Sequence, residues 1–131
     1  MLAKGTFEVK LTSQSEDKAE VSTIGRFLLE KKNRGDLEGE STGEMLSALS
    51  DTKGSAGYVA LERFTGTLRG LVGSFVLQHS GAMNRGAMEL SVKVVPDSGS
   101  DQLAGLSGMM KIIIAEGAHS YEFEYSISPP A

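Results

Sequence analysis

The chain has no cysteine, no tryptophan, only two histidines and only three prolines. Without cysteine there are no structural disulfides, no thiolate nucleophile and no thiolate-ligated metal, an absence that agrees with a reducing compartment. With His79 and His119 forty residues apart in sequence, no spacing assembles the three or four converging ligands that a metal centre needs, even if Glu44 or Glu62 joined them. No metal and no cofactor are expected. There is also no basic excess: 13 Lys and Arg stand against 17 Asp and Glu, a formal net charge of -4 with the acids spread along the chain. That balance argues against nucleic acid or an anionic membrane as partner. No apolar run approaches a membrane span, and the opening "MLAKGTFEVKL" alternates where a signal peptide would need a continuous apolar stretch. The expectation is a soluble, cytoplasmic protein.

What the chain does have is glycine, sixteen of them, separating short runs with a period of two. Phe7, Val9 and Leu11 alternate with Glu8 and Lys10; Met88, Leu90, Val92 and Val94 alternate with Glu89, Ser91 and Lys93. Such alternation marks strands with one face turned to a core. "IGRFLLEKKNR" has helical propensity, but Gly25 and the Gly35 turn favour a strand carrying Phe27 and Leu29 inward. "DLEGESTGEMLSAL" places Leu37, Met45 and Leu49 on one parity, with glycines where a strand coils or another backbone approaches. "SPPA" closes the sequence as a tail that cannot continue a ladder. About eight strands linked by short turns result, forming one domain over residues 1–131. The expected fold is all-β, a single antiparallel, mostly up-and-down barrel, because closure at eight strands removes the sheet edges. A two-sheet sandwich is the alternative.

Register then decides which side chains meet. A two-residue turn at Arg69-Gly70 pairs Leu68 with Leu71, Phe64 with Phe75, Glu62 with Leu77 and Ala60 with His79. Tyr58, Glu62, Phe64, Phe75, Leu77 and His79 then share one face, with Glu62 and His79 diagonal neighbours. A one-residue bulge at this corner would put Gln78 on that face in place of His79. A turn at Glu116-Gly117 sets Ile114 opposite His119, Ile112 opposite Tyr121 and Met110 opposite Phe123, with Lys111 and Glu122 on the reverse side. Glu122 and Glu124 are then solvated or at a subunit contact, and His119 sits near a barrel mouth.

A histidine beside a carboxylate is the minimal general-base unit, and a tyrosine on the same face is a donor for a developing oxyanion. The same pair equally serves as mutually satisfied buried polar groups that orient a ligand. Nucleophilic catalysis has less behind it: G-x-S-x-G is absent, and Ser80 falls on the face opposite His79. "GSAG" and "TGTLRG" do not form a strand–loop–helix phosphate cradle.

With the strands placed, "GSAGYVALERFTGTLRGLVGSFVLQHSGAM", "LSVKVVPDSGSDQLAGLSGMMKI" and "HSYEFEYSI" resemble the bacterial domain-of-unknown-function 3224 family, and "GTFEVKL" and "GDLEGESTGEMLSA" extend the resemblance over nearly the whole chain. It implies a small antiparallel barrel similar to the allene oxide cyclase and dirigent barrels, self-associating, with no established reaction. Fold alone does not transfer the cyclase activity.

Two functional expectations follow. In the first, an apolar cavity lined by Phe7, Tyr58, Phe75, Leu77, Val92, Ile112, Tyr121 and Phe123 binds a small apolar or amphipathic molecule, with cyclase- or isomerase-like activity left open. Tyr58, Glu62, Phe75, Leu77, Gln78, His79, Tyr121 and Phe123 are its candidate ligand-binding residues, and Glu62 and His79 orient the polar end. In the second, the barrel is filled and acts through homo-oligomer formation or a protein partner. An interior packed shut would sink the first, whereas a continuous pocket of roughly 300 Å3 or more reaching His79 would disfavour the second.

Overall fold

In the computed structural model, which describes residues 1–129, eight antiparallel strands follow in chain order: β1 (Leu2–Lys18), β2 (Ser22–Gly35), β3 (Leu37–Ser50), β4 (Ala56–Leu68), β5 (Leu71–Asn84), β6 (Ala87–Val94), β7 (Leu106–Ala115) and β8 (Ala118–Ile127). Each pairs with the next and β8 returns to β1, closing an up-and-down barrel. "IGRFLLEKKNR" is strand, not helix. The last two residues of the "SPPA" tail lie outside the described residues. Among the described residues, no helix is long and apolar enough to cross a membrane.

The hairpin turns set the register. Arg69-Gly70, Arg85-Gly86 and Glu116-Gly117 all carry positive φ at both positions, between 47° and 94°. That is the mirror-image turn whose twist matches the flanking strands, and glycine in the second position accepts the left-handed conformation without strain. Phe64 therefore faces Phe75, Glu62 faces Leu77 and Ala60 faces His79, while Ile112 faces Tyr121 and Met110 faces Phe123. No bulge interrupts the β4–β5 pairing, so His79 points inward and Gln78 stands exposed on the outer face.

The two ends of the barrel differ. At the end holding the β2–β3 and β4–β5 turns, the segment between β6 and β7 folds across the opening and its 3-10 turn, Asp101–Leu103, drives Leu103 into the core. Ser98 and Ser100 pin this cap by accepting backbone N–H donors of Val76 and Ser74 on β5. Phe64, Phe75, Phe123 and Tyr125 stack beneath it in a continuous row, ring centroids 5.1–5.8 Å apart. Burying such rings contributes roughly 2–3 kcal/mol each over leaving them exposed.

The opposite end is open. β1 pairs with β8 only from Leu2 to Phe7, and β6 meets β7 at the single pair Lys93–Met109. Beyond those points β1 and β6 run on as edges past the short β7–β8 hairpin. Inward-facing residues near this end have nothing above them: Leu49 and Met88 are 58% and 61% exposed, and Leu90 and Ile114 are exposed as well. The alternation of Met88, Leu90, Val92 and Val94 marks an inward face as expected, yet only Val92 and Val94 are buried, because the barrel is not closed around the other two.

Candidate functional site

Between the dry core and the open mouth lies a layer of buried polar side chains: Lys31 and Asn33 from β2, Ser41 from β3, Glu62 from β4 and His79 from β5. The Glu62 side chain is fully buried. Its Oε1 accepts from Lys31 Nζ at 2.7 Å and from His79 Nε2 at 2.6 Å. The Lys31 ammonium also lies 4.5 Å from the centroid of the Phe7 ring, a favourable placement over its electron-rich face. Asn33 Nδ2 donates to Ser41 Oγ at 3.3 Å. Glu62 Oε2 is buried and has no hydrogen-bond partner among the described residues.

Lys31 reaches Glu62 across an intervening strand, β3. On β3 the residue opposite Glu62 is Gly43, and a methyl group there would lie 2.7 Å from the Glu62 Cα. Glycine at that point is what the close approach of the β3 and β4 backbones requires.

The charges fix the state of the layer. Burial alone would raise the Glu62 pKa, but the hydrogen bond from His79 and the charge of Lys31 outweigh it and hold the carboxyl down at about 2. An ionised carboxylate only accepts, so the His79 Nε2–H donates to it and Nδ1 is turned the other way. Nδ1 lies 3.5 Å from the hydroxyl of Tyr58, a half-buried residue between the layer and the mouth. Burial, and then the Glu62 charge, raise the Tyr58 pKa and keep the phenol protonated.

At the open end, Met45, Leu49, Tyr58, Gly81, Met83 and Met88 line a cavity of about 200 Å3 that is almost wholly apolar. A larger concavity of about 660 Å3 lies against Arg26, Glu44, Leu46, Leu61, Arg63 and Gln78 on the outer face of β2–β5. Glu62 and His79 border it only through the wall, since their side chains point inward and are buried.

The structure thus brings Tyr58, Glu62 and His79 together, and separates them from the other expected site residues. Phe75, Leu77 and Phe123 are packed into the core at 0–2% exposure, so the broad cavity expected beside them is filled. Tyr121 is a clamp: its hydroxyl accepts from the Leu37 N–H at 2.8 Å and donates to the Arg34 carbonyl at 3.0 Å, tying β8 to the β2–β3 turn. Gln78 is outside the barrel. The interior opening is smaller than the 300 Å3 expected, and its floor is Tyr58, not His79. His119 stacks on Phe7 with ring centroids 5.1 Å apart. Glu122 is partly exposed, with its Oε2 3.8 Å from Lys4 Nζ.

Lys31 was not anticipated. "LLEKKNR" ends in charged and polar residues, but the inward parity of Phe27 and Leu29 continues to Lys31 and Asn33. Carried two residues further, the alternation would have found them.

The model of the family described as a protein of unknown function, DUF3224, matches residues 3–125. A crystal structure of a protein with unknown function from that family, from Shewanella oneidensis MR-1, is 47% identical and superposes with a TM-score of 0.95, covering 99% of this chain and 98% of that one. No curated protein matches. An eight-stranded barrel with this register, matched over nearly its whole length by family model and structure alike, belongs to the DUF3224 family.

Proposed function

We propose that the barrel binds a small apolar or amphipathic molecule at its open end, body against the apolar mouth and polar end toward Tyr58, His79 and Glu62. The observation that carries this reading is the ion-paired carboxylate buried directly beneath an uncovered apolar wall. Burying charges costs several kcal/mol per ion before pairing, and a well-packed apolar layer is often as stable or more so. A polar layer at the floor of an otherwise apolar opening therefore suits recognition better than stability. The Glu62–His79 pair is also the minimal general-base unit, so turnover of a bound molecule would use the same side chains. Native mass spectrometry of protein purified from its own host tests the reading by looking for a retained small molecule. His79→Ala and Glu62→Gln should each weaken binding of that molecule while circular dichroism stays that of the folded barrel; unchanged affinity in both would retire the site.

A second reading, self-association, is favoured by one separate feature. Leu28, Leu46, Val59 and Leu61 are exposed on the outer face of β2–β4 around the Arg26–Glu44 ion pair. Sedimentation equilibrium of the wild type and of Leu46→Lys/Leu61→Lys tests it: a species larger than the monomer that the double variant dissociates would support it.

A further inference from the structure

The hydrogen bonds behind the mouth run in one direction, and from that direction we infer the chemical class of the molecule bound there: a neutral compound with an apolar body whose polar end is a hydrogen-bond donor, a hydroxyl above all. The inference rests on the mouth being the binding site and specifies what it selects. Glu62 Oε1 accepts from both Lys31 and His79, so the imidazole nitrogen facing it must bear the proton. The Lys31–Glu62 pair is already neutral, and a second cation on the same carboxylate would leave net positive charge in an apolar interior. With a neutral imidazole, Nδ1 is an acceptor, and the Tyr58 hydroxyl 3.5 Å away is the group placed to donate to it.

Tyr58 has one proton. Spent on His79, it leaves only oxygen lone pairs for the mouth, where Tyr58 is a lining residue. A ligand hydroxyl completes the chain, donating to Tyr58, which donates to His79, which donates to Glu62; hydrogen bonds aligned in series strengthen one another. An ether or ketone of the same shape would have to take the Tyr58 proton and leave Nδ1 unpartnered, at the cost of an unmade buried hydrogen bond. A carboxylate would incur the same cost for the Tyr58 proton and add a second anion near Glu62. The chain involves no net proton transfer, oxidant or second reactant, and His79 acts as a positioning residue for Tyr58.

The probes are 2-naphthol, 2-methoxynaphthalene and 2-naphthoate, flat apolar molecules that differ in the polar end. Affinities at pH 7.5 are read, in wild type and variant alike, from the emission of the naphthalene ring of each probe, unobscured by tryptophan, which the chain lacks, and NMR shifts of the ring-labelled tyrosines report contact with Tyr58 in the wild type. We expect 2-naphthol to bind several-fold and up to about tenfold more tightly than its methyl ether, the worth of one net hydrogen bond. The naphthoate should be weakest, and Tyr58→Phe should bring the alcohol-to-ether ratio close to one. Ether or naphthoate binding as tightly as the alcohol to the wild type, with the Tyr58 signal shifting, would overturn donor selection while leaving the mouth as the binding site. An alcohol preference that survives in Tyr58→Phe would do the same. If none of the three probes moved the Tyr58 signal, both the inference and the mouth-binding reading would fall.

Discussion

Below the Lys31–Glu62–His79 layer the inward residues are rings and branched chains packed to near-zero exposure; above it, the same alternating strands turn Leu49, Met88, Leu90 and Ile114 toward an uncovered opening. Apart from a register shift between Ser13 and Ser15 on β1, the strands are continuous and the parity does not change. What differs is closure, complete where the β6–β7 segment crosses the lower end and reduced to one residue pair where β6 passes β7. Apolar residues therefore pack a core in one half of the barrel and stand exposed in the other. Alternation alone does not distinguish these roles, because it reports direction and not cover.

The sharpest way to test this division is to remove bulk from each half. Phe123→Ala, in the packed row between Phe75 and Tyr125, should cost about 3–5 kcal/mol of stability in urea denaturation. At the boundary, Lys31→Ala leaves Glu62 with one partner fewer in a buried site and should cost about 3 kcal/mol; Lys31→Met with Glu62→Gln, which removes both charges, should recover most of that loss. A double variant no more stable than Lys31→Ala would show that the pair itself stabilises the fold. Acid tests the same boundary. The Glu62 pKa is depressed in the folded state, so its contribution is fully present above the ordinary carboxylate value and is lost as pH falls from about 4.5 toward 2. The loss should be on the order of 3 kcal/mol by urea titration at successive pH values, and smaller by a comparable amount in the double variant. The smallest effect belongs to the mouth: Met88→Ser should shift stability by less than about 0.5 kcal/mol, because Met88 is exposed. A loss near that of Phe123→Ala would mean that the upper half is a core after all.

Legibility followed the same line. The Arg69-Gly70 and Glu116-Gly117 turns pointed to two registers, since a two-residue turn with a left-handed glycine sets the pairing that follows unless a bulge intervenes. Through them, Glu62, His79 and Tyr58 were placed on one face, and His79 was separated from Gln78 once the absence of a bulge was seen. Lys31 was hidden because its partner lies two strands away, a juxtaposition that no hairpin register states. Tyr121 looked like a pocket residue because an inward aromatic reads alike whether its hydroxyl faces a ligand or clamps a turn.

The sequence by itself determined the strands, the main turns and, where no bulge intervenes, the face on which a side chain lies, because a period of two and the turn residues act over a few neighbours. Only the tertiary structure decided that Lys31 shares a carboxylate with His79, that Leu103 seals one end and that β6 and β7 part at the other. Those outcomes depend on where distant strands and one loop come to rest around the closed barrel, and local pattern carries no record of them.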